Sequence, residues 1–172
     1  MKIVAVSRGS EDHAGRLTEI AFAAKRHWEY PEEWIQRWRA TLTVTRDYLA
    51  ANPSFVARCG ADAGANEIMG FGAVRFAPGG EAWIDHLWVY PSAMGFGIGR
   101  KLFEACETEA RRVGASRLKI EADPHAEGFY RRMGASTLGR EPAFMDGQER
   151  YLPLMEKALS CANANATPKK GE

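Results

Sequence analysis

A short β-branched run over residues 3–7 is followed by Ser10, Glu11 and Asp12 and then by apolar residues at helical spacing. Ser10 can cap a helix whose dipole favours acids at that end. Leu17, Ile20, Ala21, Ala24 and Trp28 form the stripe of a helix with one buried face. A second helix is predicted from Pro31, with Trp34, Ile35, Trp38 and Leu42 on one face, and a shorter one over 45–51. The period then drops to two. Residues 54–59, 67–76 and 81–90 are predicted as strands of an antiparallel meander, separated by turn-rich segments. Helical spacing returns over 97–113, where Leu102, Phe103, Cys106, Ala110 and Val113 share a side and Gly114 ends the element. A strand over 117–122, a short helix over 125–133 closed by Gly134, and two strands over 137–144 and 151–158 complete the order. This is an α/β pattern, a mixed sheet with helices on its faces.

With 172 residues, 45% hydrophobic and 26% charged, the chain has the balance of one soluble domain, expected over 1–159. Residues 160–172, SCANANATPKKGE, are too polar to bury much and are expected to be a disordered tail. The three cysteines, Cys59, Cys106 and Cys161, form no CxxC pair, which points to a reducing cytoplasm rather than a disulfide framework or a metal cluster. No metal is expected. Lysines and arginines number 23 against 22 acids, without the excess of positive charge expected of a nucleic-acid partner. No apolar run suits a secretory signal or a membrane span.

The most informative segment is LWVYPSAMGFGIGRKL, residues 87–102, which joins a strand to a helix. Glycines at alternate positions, Gly95, Gly97 and Gly99, let backbone approach a ligand and leave amides free at the helix start, where an anion is favoured. Arg100 and Lys101 add positive charge. The arrangement reads as a phosphate or pyrophosphate cradle. It is neither GxGxxG nor GxxxxGK[ST], so neither a dinucleotide fingerprint nor a P-loop is indicated.

The segment resembles motif A of the GNAT superfamily, the GCN5-related N-acetyltransferases, through Leu87, Val89, Pro91, Gly97 and Gly99. Met94 departs from the usual Gln or Arg. Downstream, DPHAEGFYRRMGA, residues 123–135, is similar to motif B through Ala126, Tyr130 and Gly134, with Asp123 in place of asparagine and Ala135 in place of phenylalanine. The resemblance implies a GNAT-like fold, a mostly antiparallel central sheet with helices on both faces, and acetyl-CoA as acyl donor to a primary amine. It places the backbone of Leu87, Trp88 and Val89 beside the pantetheine arm and residues Gly95, Phe96, Gly97, Ile98, Gly99 and Arg100 around the pyrophosphate, with Asp123 also on the cofactor side. Phe96 also reads as a lid or packing residue.

Acetyl transfer needs a positioned thioester, a donor for the developing oxyanion and proton handling at nitrogen and sulfur. The resemblance makes Tyr130 the candidate general acid at the leaving sulfur, against a plain reading as a packed tyrosine. Candidate bases are Glu121, at the end of its strand, and His86 and Asp85, of which simple alternation lets only one face the cleft. Cys106 lies on an inward stripe and reads as a small hydrophobe. The acceptor site is expected near the first two helices, where His27, Trp28 and Tyr30 line a turn, Trp34 and Trp38 read as core, and Glu29, Glu32 and Glu33 offer charge either to a cationic amine or to the helix dipole. The expected acceptor is a small or amino-acid-like amine; a protein N-terminus or lysine, or a noncatalytic acyl-CoA-binding module, are the alternatives. Edge strands near the C-terminus are available to pair across a homodimer.

Overall fold

The computed structural model describes residues 3–60, 67–145 and 147–159. The tail expected over 160–172 lies outside them. Strand β1 (Ile3–Arg8) leads through a 3-10 turn capped by Ser10 into α1 (Ala14–His27), followed by α2 (Glu32–Arg37), α3 (Arg39–Leu42) and α4 (Arg46–Ala51). The meander is β2 (Ser54–Gly60), β3 (Glu67–Ala77) and β4 (Glu81–Val89). Then come α5 (Ile98–Arg112), β5 (Arg117–Glu121), α6 (Glu127–Arg132), β6 (Ser136–Met145) and β7 (Gln148–Ala158).

Two elements differ from the periodicity. The helix predicted through Trp34, Trp38 and Leu42 breaks at Trp38, whose ψ of 4° interrupts it. The last two strands are longer than predicted and form a hairpin that pairs out to Met145 and Gln148.

The strands form one seven-stranded sheet in the order β1-β2-β3-β4-β5-β7-β6. Every pairing is antiparallel except β4 with β5, which is parallel. The mostly antiparallel sheet with covered faces expected from the resemblance is therefore present. On one face Leu17, Ile20 and Ala21 of α1 and Ile35 pack against Val56, Ile68 and Phe71 of β2 and β3. On the other, Phe103, Cys106 and Ala110 of α5 and Tyr130 of α6 pack against Val74, Ile84, Leu118 and Ile120.

Helix α5 lies close to β3 because two sheet positions facing it carry no side chain. A Cβ at Gly70 would stand 2.9 Å from Ile98 Cγ2, and one at Gly72 would stand 2.8 Å from Cys106 Sγ and 3.1 Å from Leu87 Cδ1. The close approach fixes where α5 begins, and with it the glycine loop. Gly72→Ala is expected to destabilise the fold by about 1–3 kcal/mol through overpacking. In a Cys106→Ala background, where the sulfur is gone, urea unfolding should show a smaller cost. An equal cost in both backgrounds would place the strain elsewhere.

Candidate active-site cleft

Strands β4 and β5 pair over only three residues, Ala82–Leu118, Trp83–Lys119 and Ile84–Ile120. Beyond that, β4 stays with β3 as far as Val89 while β5 stays with β7. The two strands part, and a cleft of about 1050 Å³ opens where they separate. Tyr90 N–H bonds the Met69 carbonyl at 2.7 Å, so the period-two alternation turns the backbone groups of Trp88 toward β3 and those of Leu87 and Val89 toward the cleft. Two of the three residues expected beside a pantetheine arm thus offer unpaired backbone groups there.

At one end of the cleft lies the glycine loop. Gly95 and Gly97 have φ of 82° and 79°, left-handed values at which a side chain is strained, and Gly97 is the N-cap of α5. No described carbonyl accepts from the amides of Ile98, Gly99 or Arg100, so the first turn presents them as donors at the positive end of a 15-residue helix. Gly95, Gly97, Ile98, Gly99 and Arg100 line the cleft, and the Met94 side chain stands beside them. The Arg100 guanidinium is paired with Glu104. Phe96 is 58% exposed and is not among the lining residues.

Tyr130 lines the cleft from α6, packed against Phe129 and Phe103. No described residue hydrogen-bonds its hydroxyl, and burial raises its pKa above the ordinary phenol value. Glu121 lines the cleft from the end of β5, also without a hydrogen-bond or ion-pair partner among the described residues.

Asp85 and His86 are arranged differently from the alternation argument. The β3–β4 register passes from Ala73–His86 to Val74–Ile84, which leaves Asp85 as the extra residue of a bulge. The bulge puts consecutive side chains on one face, toward α4. Tyr48 Oη donates to Asp85 at 2.8 Å, and the Tyr48 ring stands edge-on to His86 at 5.1 Å. Asp85 lines the cleft, but its carboxylate is held by Tyr48 and Arg75. His86 is buried away from the cleft, where burial lowers its pKa and its Nδ1 accepts from Trp88 Nε1 at 3.1 Å.

The other end of the cleft holds a charge network that periodicity did not single out. Lys25, at a stripe position of α1, donates to Asp123 at 2.5 Å. Asp123 also accepts from Tyr30 Oη at 2.9 Å and from the His125 amide at 3.0 Å, so its carboxylate is committed here and not to the glycine loop. Arg150 of β7 donates to Tyr30 Oη at 3.0 Å. Burial works against the Asp123 charge, but the Lys25 ammonium and these hydrogen bonds outweigh it and hold the carboxyl below its usual range. Burial lowers the Lys25 pKa despite the attraction of Asp123.

Aromatic rings surround the network. Trp28 stacks on His125 at 4.8 Å and lines the cleft, as does Trp38, while Trp34 is core. Tyr30 acts from behind, positioning Asp123 and Arg150. His27 packs edge-on against Trp28 and does not line the cleft. Nor do Glu29, Glu32 and Glu33; Glu32 is tied to Arg26 and Gln36. The signals available in the sequence were a lysine within an apolar stripe and, for Arg150, none, since it lies one residue outside the predicted strand.

A mixed, mostly antiparallel sheet covered on both faces, with a glycine-capped helix at the cleft, is the architecture that the resemblance to the GNAT acetyltransferases implies. Residues 17–135 match the model of the Acetyltransferase (GNAT) family, and the chain belongs to that family. The IAA acetyltransferase of Azospirillum brasilense is 33% identical over 96 residues, a match spanning 54% of this chain and 61% of that protein. A GCN5-related N-acetyltransferase structure from Rhodopseudomonas palustris superposes with a TM-score of 0.73 at 23% identity, covering 90% of this chain and 95% of that one. The PaiA N-acetyltransferase of Thermoplasma acidophilum, in complex with coenzyme A, superposes with a TM-score of 0.66 at 18% identity, covering 91% and 99%. Among the described residues there is no group of three His, Cys, Asp or Glu side chains able to hold a metal ion, and no helix long and apolar enough to cross a membrane.

Removing one partner of the Lys25–Asp123 pair leaves a charge in a site where the two side chains are only 11% and 13% exposed. Lys25→Met and Asp123→Asn are each expected to cost about 3 kcal/mol, and the double variant less than the sum, by urea unfolding. The Asp123 contribution carries a definite sign with pH. Because the folded carboxyl titrates below the unfolded one, the stabilisation is in place above about pH 4 and is lost as pH falls through the folded value. Asp123→Asn should flatten that acid limb.

Proposed function

We propose that the chain transfers an acetyl group from acetyl-CoA directly to a primary amine of a small or amino-acid-like acceptor, in a ternary complex. The observation that carries this reading is one cleft lined by Tyr130, whose phenol is held protonated, by the carboxylate of Glu121, which has no partner among the described residues, and by the amide-rich start of α5. Acetyl-CoA supplies the activated acyl group. The residues present suit it: the amides of Ile98, Gly99 and Arg100 are donors for a pyrophosphate, and the open backbone edge at Leu87 and Val89 can pair with the amides of an extended pantetheine arm.

In this reading Tyr130 Oη donates its proton to the departing sulfur, and a Glu121 carboxylate oxygen accepts the proton that the acceptor ammonium must lose. An amide N–H of the β4 edge polarises the acyl carbonyl. Cys106 takes no part. It is fully buried against the Gly72 face of the sheet, and burial pushes its thiol well above the ordinary range. The reading treats residues 1–159 as one acetyltransferase domain working in the reducing cytoplasm, a setting that suits Cys59 and Cys106, which form no disulfide among the described residues.

Acetyl-CoA at 100 times its Kd should stabilise the protein by about 2.7 kcal/mol, and NAD or ATP should not match it. Tyr130→Phe is expected to lower kcat about 100-fold with acetyl-CoA affinity unchanged. Since the phenol titrates above its ordinary value, no alkaline fall in kcat below about pH 10 should trace to Tyr130. A fall near pH 8 that disappears in Tyr130→Phe would overturn the acid assignment. Cofactor binding without turnover of any amine would favour a noncatalytic acyl-CoA-binding module.

A further inference from the structure

The β6–β7 hairpin runs past the end of β5. The last β5 pairing is Glu121 with Leu154, whereas β6 and β7 continue to pair through Ala143–Arg150 to Met145–Gln148. Arg150 stands on this overhang and lines the acceptor end of the cleft. Its guanidinium lies 4.8 Å from the ring centre of Tyr30, 5.0 Å from that of Trp38 and 5.4 Å from that of Trp34. Three rings and the hydrogen bond to Tyr30 hold it in place, so the ordering of a long side chain is already complete before any ligand arrives.

What Arg150 lacks is a carboxylate. Of the other arginines lining the cleft, Arg75 and Arg100 are paired with Asp85 and Glu104, while Arg132, on α6, and Arg150 have no acid partner among the described residues; of these two, Arg150 is the one held by aromatic rings beside Asp123. Asp123, one hydrogen bond away through Tyr30, already accepts from Lys25, Tyr30 and the His125 amide. Among the described side chains of this network, Lys25 and Arg150 against Asp123 leave one positive charge in excess in a partly desolvated cleft, which favours an anion beside Arg150. A guanidinium fork with donors to spare matches a carboxylate in two parallel hydrogen bonds.

We propose that Arg150 binds a carboxylate of the acceptor, so that the substrate is an amine that also carries a carboxylate, with the amine directed toward Glu121. Arg150, which pairs with no acid of the described residues, and the carboxylate of Glu121 are then the complement of a zwitterion. This inference rests on the amine-acetylation reading and adds to it the anionic half of the substrate.

Release of free CoA is compared for matched pairs, phenylalanine against phenethylamine and tryptophan against tryptamine, together with the remaining α-amino acids. The carboxylate-bearing member should be favoured at least roughly tenfold in kcat/KM, and Arg150→Gln should remove that advantage mainly through KM, leaving the plain amine within about twofold. Arg150→Lys should restore part of the preference. Preference for the plain amine, or an equal loss for both members in Arg150→Gln, would overturn the proposal. A second readout is independent of turnover: calorimetric titration of the CoA-loaded protein with phenylacetate and with 2-phenylethanol, its uncharged counterpart. Phenylacetate should bind at least roughly tenfold more tightly, and Arg150→Gln should abolish the difference. Equal binding of the two probes to the unaltered protein counts against Arg150. Phenylacetate selectivity that depends on Arg150, combined with no turnover of any amine, would instead sink the amine-acetylation reading and leave the anion site standing.

Discussion

A parallel strand pair held together over only three residues governs what this molecule can do. Were β4 and β5 paired along their whole length, the backbone groups of Leu87 and Val89 would be spent on each other's neighbours and no cleft would exist. Two constraints keep the strands apart. On the β4 side, the antiparallel ladder with β3 continues to Val89 and holds that strand in the sheet. On the β5 side, the chain leaves the sheet after Glu121 into the turn that begins α6, with the Ala122 amide bonded to the Pro153 carbonyl of β7. Helix α5 is seated by Gly70 and Gly72 so that its first turn opens at the mouth of the gap. The glycine loop, the open strand edge and Tyr130 therefore meet because of sheet geometry, not because their residues are neighbours in the chain.

The opposite end of the gap is organised by charge. Burying the Lys25 and Asp123 side chains is costly, and a buried ion pair is weak evidence for stability. What it does here is orient. Asp123 bridges α1 to the turn before α6 and fixes the Tyr30 hydroxyl, which in turn receives a donor from Arg150 on a separate hairpin. Three remote parts of the chain are thereby joined around one carboxylate. An asparagine at this position, as is usual in the family pattern, would carry no charge to pair with Lys25, so the aspartate and the buried lysine belong together.

Much of this was legible in the residues. The three meander strands, the α5 stripe and the short helix around Tyr130 follow from period and turn chemistry, because each is set by which local positions must be buried. The GxGxG loop was legible because left-handed backbone and free amides need glycine. Less could be read where burial depends on distant partners. The bulge at Asp85 defeats alternation, since one inserted residue turns Asp85 and His86 to the same face. The helix break at Trp38 was invisible to periodicity, since the ring packs against Tyr30 and under Arg150.

The sequence by itself determined the class of protein, the order of its elements, the glycine-rich turn at the start of α5 and the set Tyr130, Glu121, His86 and Asp85 as candidate proton-handling groups. These follow from local rules: hydrophobic period, the backbone freedom of glycine, and motif spacing over residues 87–134. Tertiary structure alone decided which candidates share the cleft. It withdrew His86 into the core, committed Asp85 to Tyr48 and Arg75, turned Phe96 outward, and brought Lys25 and Arg150 to the end of the cleft opposite the glycine loop. The physical reason is that a side chain's charge state, partners and access to a ligand depend on groups contributed by other strands and helices: 98 positions separate Lys25 from Asp123 along the chain, yet the two side chains are in contact.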